Sequence, residues 1–337
     1  MTRAKRMELV CPAGGAAALK AAVDNGADAV YLGFRDGTNA RNFAGLNFTP
    51  QEIHDAIDYA RAHSVRVFLA LNTYPTPPRW QQWCGAVDTA VALGVDALIL
   101  ADAGLMRYCA AEHPEQRLHL SVQSSATNHE AIAFYVREFG VRRVVLPRVL
   151  SVAQVEALVK RVDAEIEVFG FGSLCVMVEG RCQLSSYVTG ESPNTGGVCS
   201  PAKAVRWVET PRGREARLGG VLVDVYRPGQ SAGYPQLCKG RFDVAEQLFY
   251  ALEEPTSLSV LDILPRLARA GVAAIKVEGR QRSPAYVAQV TRVLREAIDA
   301  CEREPDRFAP RPEWVAALDK VAEGACHTLG AYHRPWH

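Results

Sequence analysis

Met7-Glu8-Leu9-Val10-Cys11-Pro12-Ala13-Gly14-Gly15, continued by Ala16 to Asn25 and then by Asp28-Ala29-Val30-Tyr31-Leu32-Gly33, holds the pattern that decides the fold. A short apolar run is closed by proline and two glycines. Ala, Leu and Val then recur at helical spacing until Gly26 supplies a stop, and a second apolar run begins. A strand, a helix and a second strand of this kind make a parallel β-α-β unit.

The unit repeats along the chain. Thr49-Pro50-Gln51-Glu52 combines an N-cap threonine, a first-turn proline and an N3 glutamate, so a helix is predicted to about His63. Strands are predicted at Arg66–Asn72, Asp96–Asp102, Arg117–Gln123, Arg143–Pro147, Glu165–Gly170 and Ala273–Glu278. Helices are predicted between them, at about Trp80–Leu93, Leu105–Glu112, Glu130–Phe139, Ser151–Val162 and Leu258–Ala270, with a last one from Ser283 to about Cys301. Eight strands and no dinucleotide fingerprint favour a closed (β/α)8 TIM-like barrel over an open doubly wound sheet. Regularity fails from Cys175 to Glu254, so the barrel is assigned to residues 1–174 and 255–337 and an irregular insertion after strand seven to 175–254. Without it about 257 residues remain, close to the roughly 250 typical of the barrel. Inside it, Val205–Glu209 and Gly220–Tyr226 are expected to pair around a turn at Pro211-Arg-Gly213.

An apolar fraction of 48% and a charged fraction of 22% describe an ordinary globular chain. A formal net charge of +1 gives no global field for polyanions or membranes, so no nucleic acid is expected as partner. The basic start, Met1 to Glu8, precedes too short an apolar stretch for a signal peptide, and no segment approaches the roughly 18 apolar residues of a membrane span. The expected location is therefore cytoplasmic, where thiols stay reduced.

In a (β/α)8 barrel the loops after the strands build the active site. The candidates there are Asn72, Asp102, Gln123, Arg148, Glu278 and Arg280. Arg148 and Arg280 suit a substrate carboxylate, and Asp102 and Glu278 suit proton transfer or ion pairing. The loop from Phe34 to Phe48, long and rich in Asn, Gly and Arg, is expected to reach over a pocket.

The chain has nine cysteines, an odd number that disfavours a complete disulfide framework. Cys84, Cys109 and Cys301 fall in helical segments and read as core, and Cys11, at a strand end, reads as core with a pocket as the alternative. Cys175, Cys182, Cys199 and Cys238 gather in the insertion at intervals of seven, seventeen and thirty-nine residues. Those intervals match neither a zinc knuckle nor a ferredoxin run, and leave both zinc and iron–sulfur open.

The segment Glu167-x-Phe169-x-x-Gly172-Ser173-Leu174-Cys175-x4-Gly180-x-Cys182-x-Leu184-Ser185 resembles the signature of the peptidase U32 family. Further similarity, at Asp36–Phe48, Val144–Leu150, Thr189–Asn194, Ala251–Thr256, Lys276–Tyr286 and Leu329–Arg334, points within that family to the UbiU branch. The resemblance implies a 4Fe-4S cluster held by Cys175, Cys182, Cys199 and Cys238, and a heterodimer with a UbiV-like protein. It also implies O2-independent hydroxylation of a polyprenyl-phenol precursor of ubiquinone, with prephenate as oxygen donor. The alternatives are a U32-type RNA base hydroxylase and a non-catalytic electron-transfer or scaffold subunit. Peptidase activity is not expected: Gly229-Gln-Ser231-Ala-Gly233 fits the G-x-S-x-G pattern but lacks the strand and helix of a nucleophile elbow.

Overall fold

The structure, a computed structural model, describes residues 6–177, 181–193, 197–230 and 232–333. The chain opens with β1 (Glu8–Pro12), α1 (Ala16–Asp24), β2 (Ala29–Leu32) and α2 (Pro50–Ala62). It continues through β3 (Arg66–Leu71), α3 (Trp80–Leu93), β4 (Ala97–Leu100), α4 (Ala103–Glu112) and β5 (Leu118–Leu120). Then come α5 (His129–Phe139), β6 (Arg143–Val145), α6 (Val152–Val159) and β7 (Glu165–Ser173). The insertion carries α7 (Gln183–Thr189), β8 (Val205–Thr210), β9 (Gly213–Leu218), β10 (Val221–Tyr226), β11 (Phe242–Val244) and β12 (Gln247–Phe249). The chain returns through β13 (Ser257–Ser259), α8 (Leu264–Ala270), β14 (Ala274–Val277), α9 (Pro284–Arg303), α10 (Pro312–Asp319) and β15 (His327–Thr328).

Strands β1 to β7 pair in parallel in sequence order, and β14 pairs in parallel with both β7 and β1, which closes an eight-stranded barrel. Two helices start as the local sequence dictates. Thr49 accepts the Glu52 N–H while its own N–H donates to the Glu52 carboxylate, and Ser151 and Gln154 form the same reciprocal cap. Leu, Val and Ile from the outward faces of the strands pack under the helices in one continuous core; α9, with Val287, Val290, Leu294 and Ile298 buried, lies over α1 and β1.

The barrel interior is unusual in its small residues. Ala29, Ala70, Ala97 and Ala274 point inward where branched apolar side chains are the norm. The space they leave admits a column of charges. Arg143 donates to Glu8 and to Glu165, both at 2.6 Å, and to Glu167 at 3.3 Å; Lys276 donates to Glu167 at 2.7 Å. Arg66 and Arg117 close the N-terminal end on Glu8 and Glu165.

Three sequence expectations need correction. Leu258 does not begin a helix: Ser257–Ser259 extends β7 antiparallel, pairing Leu258 with Gly172, and the helix starts at Leu264. Segments 205–210 and 221–226 do not pair with each other, because β9 lies between them and pairs antiparallel with both. Strand β5 stops at Leu120, where a 3-10 turn carries Val122 to Ser124 to the barrel mouth.

Candidate active site at the barrel mouth

Above the C-terminal strand ends lies a polar cavity whose walls include Asn72, Gln123, Arg148, Glu278 and Arg280. Asp102 is not among its walls. Its carboxylate accepts the Leu105 N–H at 2.8 Å and caps α4, a demand of the helix start that the strand-end position concealed. Tyr31, Arg41, Ser121 and Lys276 line the cavity as well. Arg41 comes from the 34–48 loop, whose Ala40 N–H donates to the Asn72 side chain at 3.0 Å and so draws the loop over the mouth.

Electrostatically the cavity is cationic around one carboxylate. Burial pushes the Glu278 carboxyl up, but Arg41, Arg148 and Arg282, with the Ser173 N–H, outweigh it and hold the group below its ordinary value. The backbone permits this contact only because residue 172 is glycine. Its φ is +136°, and a Cβ there would stand 2.6 Å from the Glu278 Cβ. Burial lowers Arg280 to about 10, so the guanidinium is still charged at neutral pH; it donates to the Asn39 side chain at 3.0 Å. The Arg148 guanidinium lies 4.1 Å from the Phe169 ring centroid, a cation–π seat that fixes it at the rim. On the cavity floor, burial lowers Lys276 against the pull of Glu167, and its ammonium lies 4.1 Å from the Tyr31 ring centroid.

The clustered thiols converge beside this mouth. Burial first, then Cys199, Cys175 and Cys182, raise the Cys238 thiol to about 12, which puts each of the other three within electrostatic reach of Cys238. Yet no three His, Cys, Asp or Glu side chains among the described residues are arranged to hold a single ion. Thiolates are ligands of both zinc and iron–sulfur clusters, and Cys175, Cys182, Cys199 and Cys238 are the residues that would hold either. The setting also supplies sulfur-directed donors, since the Ser185 N–H donates to Cys182 Sγ at 3.4 Å. Of the other cysteines, Cys84, Cys109 and Cys301 are buried as expected. Cys11 is buried too, taking a 3.2 Å hydrogen bond from Thr291 of α9, so it faces the helix layer and not a pocket.

Residues 14–335 match the sequence profile of Peptidase family U32. This chain belongs to the peptidase U32 family. Among curated U32-like relatives, tRNA hydroxylation protein P1 of Bacillus subtilis is 32% identical over 94% of this chain and 69% of its own length. Its Escherichia coli counterpart, tRNA hydroxylation protein P, is 30% identical over 95% of this chain and 72% of its own. The 23S rRNA 5-hydroxycytidine C2501 synthase of Escherichia coli is 28% identical over 89% of this chain but only 40% of its own length. These three relatives are named for hydroxylation, whereas a Methanocaldococcus jannaschii relative, 32% identical over 87% of this chain and 65% of its own length, is named an uncharacterized protease. The G-x-S-x-G match contributes little to a peptidase reading: Gly229 sits in a turn at φ +80° after β10, the next helical element among the described residues is a short 3-10 turn at Leu237–Lys239, and Ser231 lies outside the described residues, as do Gly180, Asn194 and Arg334 of the family-like segments. No helix among the described residues is long and apolar enough to cross a membrane.

Proposed function

We propose that this U32 chain is the iron–sulfur-binding component of a hydroxylase that moves an oxygen atom from an anionic donor to an aromatic ring. What carries the reading is the placement of four neighbouring thiols beside a barrel mouth where Arg41, Arg148 and Arg280 gather near one ionised carboxylate, Glu278. Cys175, Cys182, Cys199 and Cys238 would hold a 4Fe-4S cluster, which when bound supplies one-electron chemistry or an open iron site. The arginines would hold a carboxylate of the donor, for which prephenate is the candidate, and Asn72 and Gln123 would orient it.

On the acceptor, the relatives named for tRNA and rRNA hydroxylation favour a base in RNA. A second reading, the ring of a polyprenyl-phenol precursor of ubiquinone, is favoured by the surface. Trp207, Val208, Val244, Leu248, Phe249 and Leu252 of the insertion are exposed, while net charge is only +1. Such a surface suits an apolar tail or a UbiV-like partner subunit better than a phosphate backbone.

The test is a deletion strain grown without oxygen, with mass spectrometry of RNA nucleosides and of quinone intermediates, beside anaerobic purification and iron and sulfide analysis of the wild type and Cys182→Ala. Loss of a hydroxylated nucleoside selects the first acceptor, and accumulation of an unhydroxylated prenyl-phenol the second. If neither pool changes, or the wild type carries zinc and no sulfide, the reading is wrong.

A further inference from the structure

The chain segments that carry the first and the last of the clustered thiols meet on one carboxylate, that of Glu323. Ser173, the last residue of β7 and two before Cys175, donates from Oγ to Glu323 Oε1 at 2.7 Å. Lys239, next after Cys238, donates from Nζ to Glu323 Oε2. The Lys239 side chain is only 4% exposed, so its ammonium needs a counter-charge where it stands, and among the described residues Glu323 is its one ion-pair partner. Arg282, from the loop after β14, adds a longer contact to the same carboxylate at 3.7 Å.

Glu323 is itself held where those segments meet. Its N–H donates at 2.9 Å to Ser257 Oγ, and Ser257 stands opposite Ser173 in the antiparallel β13–β7 pair, so backbone and side chain grip one ladder from two sides. The turn that carries it requires glycine at 324, where φ is +61° and a Cβ would come within 2.3 Å of the Pro255 carbonyl oxygen. From the insertion side, the Glu253 N–H donates at 3.0 Å to the carbonyl of Cys238. Burial raises the Cys199 and Cys238 thiols, and the Lys239 ammonium works against it at both, so this cation is within electrostatic reach of two thiols as well as in contact with Glu323. One residue of the C-terminal segment thus fixes the insertion at its entry and close to its exit.

We propose that Glu323 is the positioning residue of the four-thiol site: it clamps the arm of Cys175 through Ser173 and the arm of Cys238 through Lys239, and it sets the charge that Lys239 presents to the thiols. The inference rests on the thiols being ligands of a cluster. It goes beyond that reading by making the site depend on a residue 84 positions after Lys239 in the chain. Loss of the clamp lets the two arms part more readily, and metal escapes. Loss of the carboxylate with Lys239 kept has a second, separate effect: an unpaired positive charge beside the thiols favours the more negative, reduced state of a bound cluster.

The experiment uses the anaerobically purified full-length protein and reads two quantities without turnover: the rate at which a ferrous chelator withdraws iron, and the midpoint potential from a redox titration followed by electron paramagnetic resonance. Glu323→Gln should lose iron about tenfold faster than the wild type, as expected for the loss of a charged hydrogen-bond partner, and its potential should rise. Glu323→Gln/Lys239→Met removes both charges, so it should lose iron as fast as the single variant while its potential returns toward the wild-type value. Ser173→Ala, which removes one hydroxyl, should release iron faster at an unchanged potential. Arg266→Ala breaks an exposed ion pair with Glu156 between α8 and α6 and should match the wild type in both readouts. The inference is overturned if Glu323→Gln and Ser173→Ala keep iron as the wild type does, if the single and double variants share one potential, or if Arg266→Ala loses iron as fast as they do. Should Glu323→Gln fail to fold, wild-type iron retention in the double variant and in Ser173→Ala overturns it. A wild type that binds no iron removes the cluster reading and this inference with it, whereas an iron-bearing wild type with unaltered variants removes the inference alone.

Discussion

Replacing Glu167 with glutamine tests the charged column that supports the site. Glu167 is fully buried between two cations, with Lys276 at 2.7 Å and Arg143 at 3.3 Å. Arg143 keeps Glu8 and Glu165 when Glu167 is neutralised, but among the described residues Lys276 has no second ion pair and becomes a buried, uncompensated ammonium. Breaking a buried pair from one side costs about 3–5 kcal/mol. With about 2.1 cal/mol/K of unfolding entropy per residue, roughly 0.7 kcal/mol/K for a chain of this length, the melting temperature should fall by about 4–7 °C. The assay is differential scanning calorimetry at matched iron content, with Glu167→Gln/Lys276→Met as the companion. That double variant removes the orphaned charge as well and should recover more than half of the loss. A single variant that melts within about 1 °C of the wild type, or a double variant no more stable than the single, would refute the reasoning.

The same carboxylate sets a pH signature. Burial raises Glu167, but Lys276 and Arg143 outweigh it, so its folded pKa lies below the ordinary 4.5. Its contribution is therefore complete above that value and lost as pH falls through the folded pKa. The difference in melting temperature between wild type and Glu167→Gln should be constant from pH 8 to 5, at about the size just given, and shrink only below about 4.5. Gly172→Ala should cost several kcal/mol, on the order of 2–4, and displace Glu278, which is read as lost donor affinity in a protein whose circular dichroism is unchanged at low temperature. Asp102→Ala should cost about 1 kcal/mol through its helix cap and leave donor affinity intact; lost donor affinity there would restore Asp102 to the site. Cys199→Ala should abolish iron and sulfide incorporation while the barrel keeps its far-ultraviolet spectrum, whereas Cys84→Ala should retain both.

What could be read from the residues follows the range of the interaction that fixes each feature. Thr49 and Ser151 cap helices through partners three residues away, so those boundaries were plain in the sequence. Leu258 was not, because what makes it a strand is Gly172, far back along the chain. Strand β9, Gly213-Arg-Glu-Ala-Arg-Leu218, was hidden for a related reason. Its charges read as loop, yet Glu215 is held by Arg212 and Arg217, and the buried Ala216 and Leu218 give it a core face. At the site, five of the six strand-end candidates line the cavity, since barrel geometry alone sends those positions to one mouth. Asp102 differs because the same position also begins a helix: its Oδ1 caps α4, and the residue is not among the cavity walls. Arg41 escaped because a loop residue announces no direction; only its neighbour Ala40, tied to Asn72, fixes where it goes. The four cysteines mark the limit of spacing. Intervals of seven, seventeen and thirty-nine residues say nothing about distance, and it is the fold of the insertion onto the barrel rim that makes them neighbours.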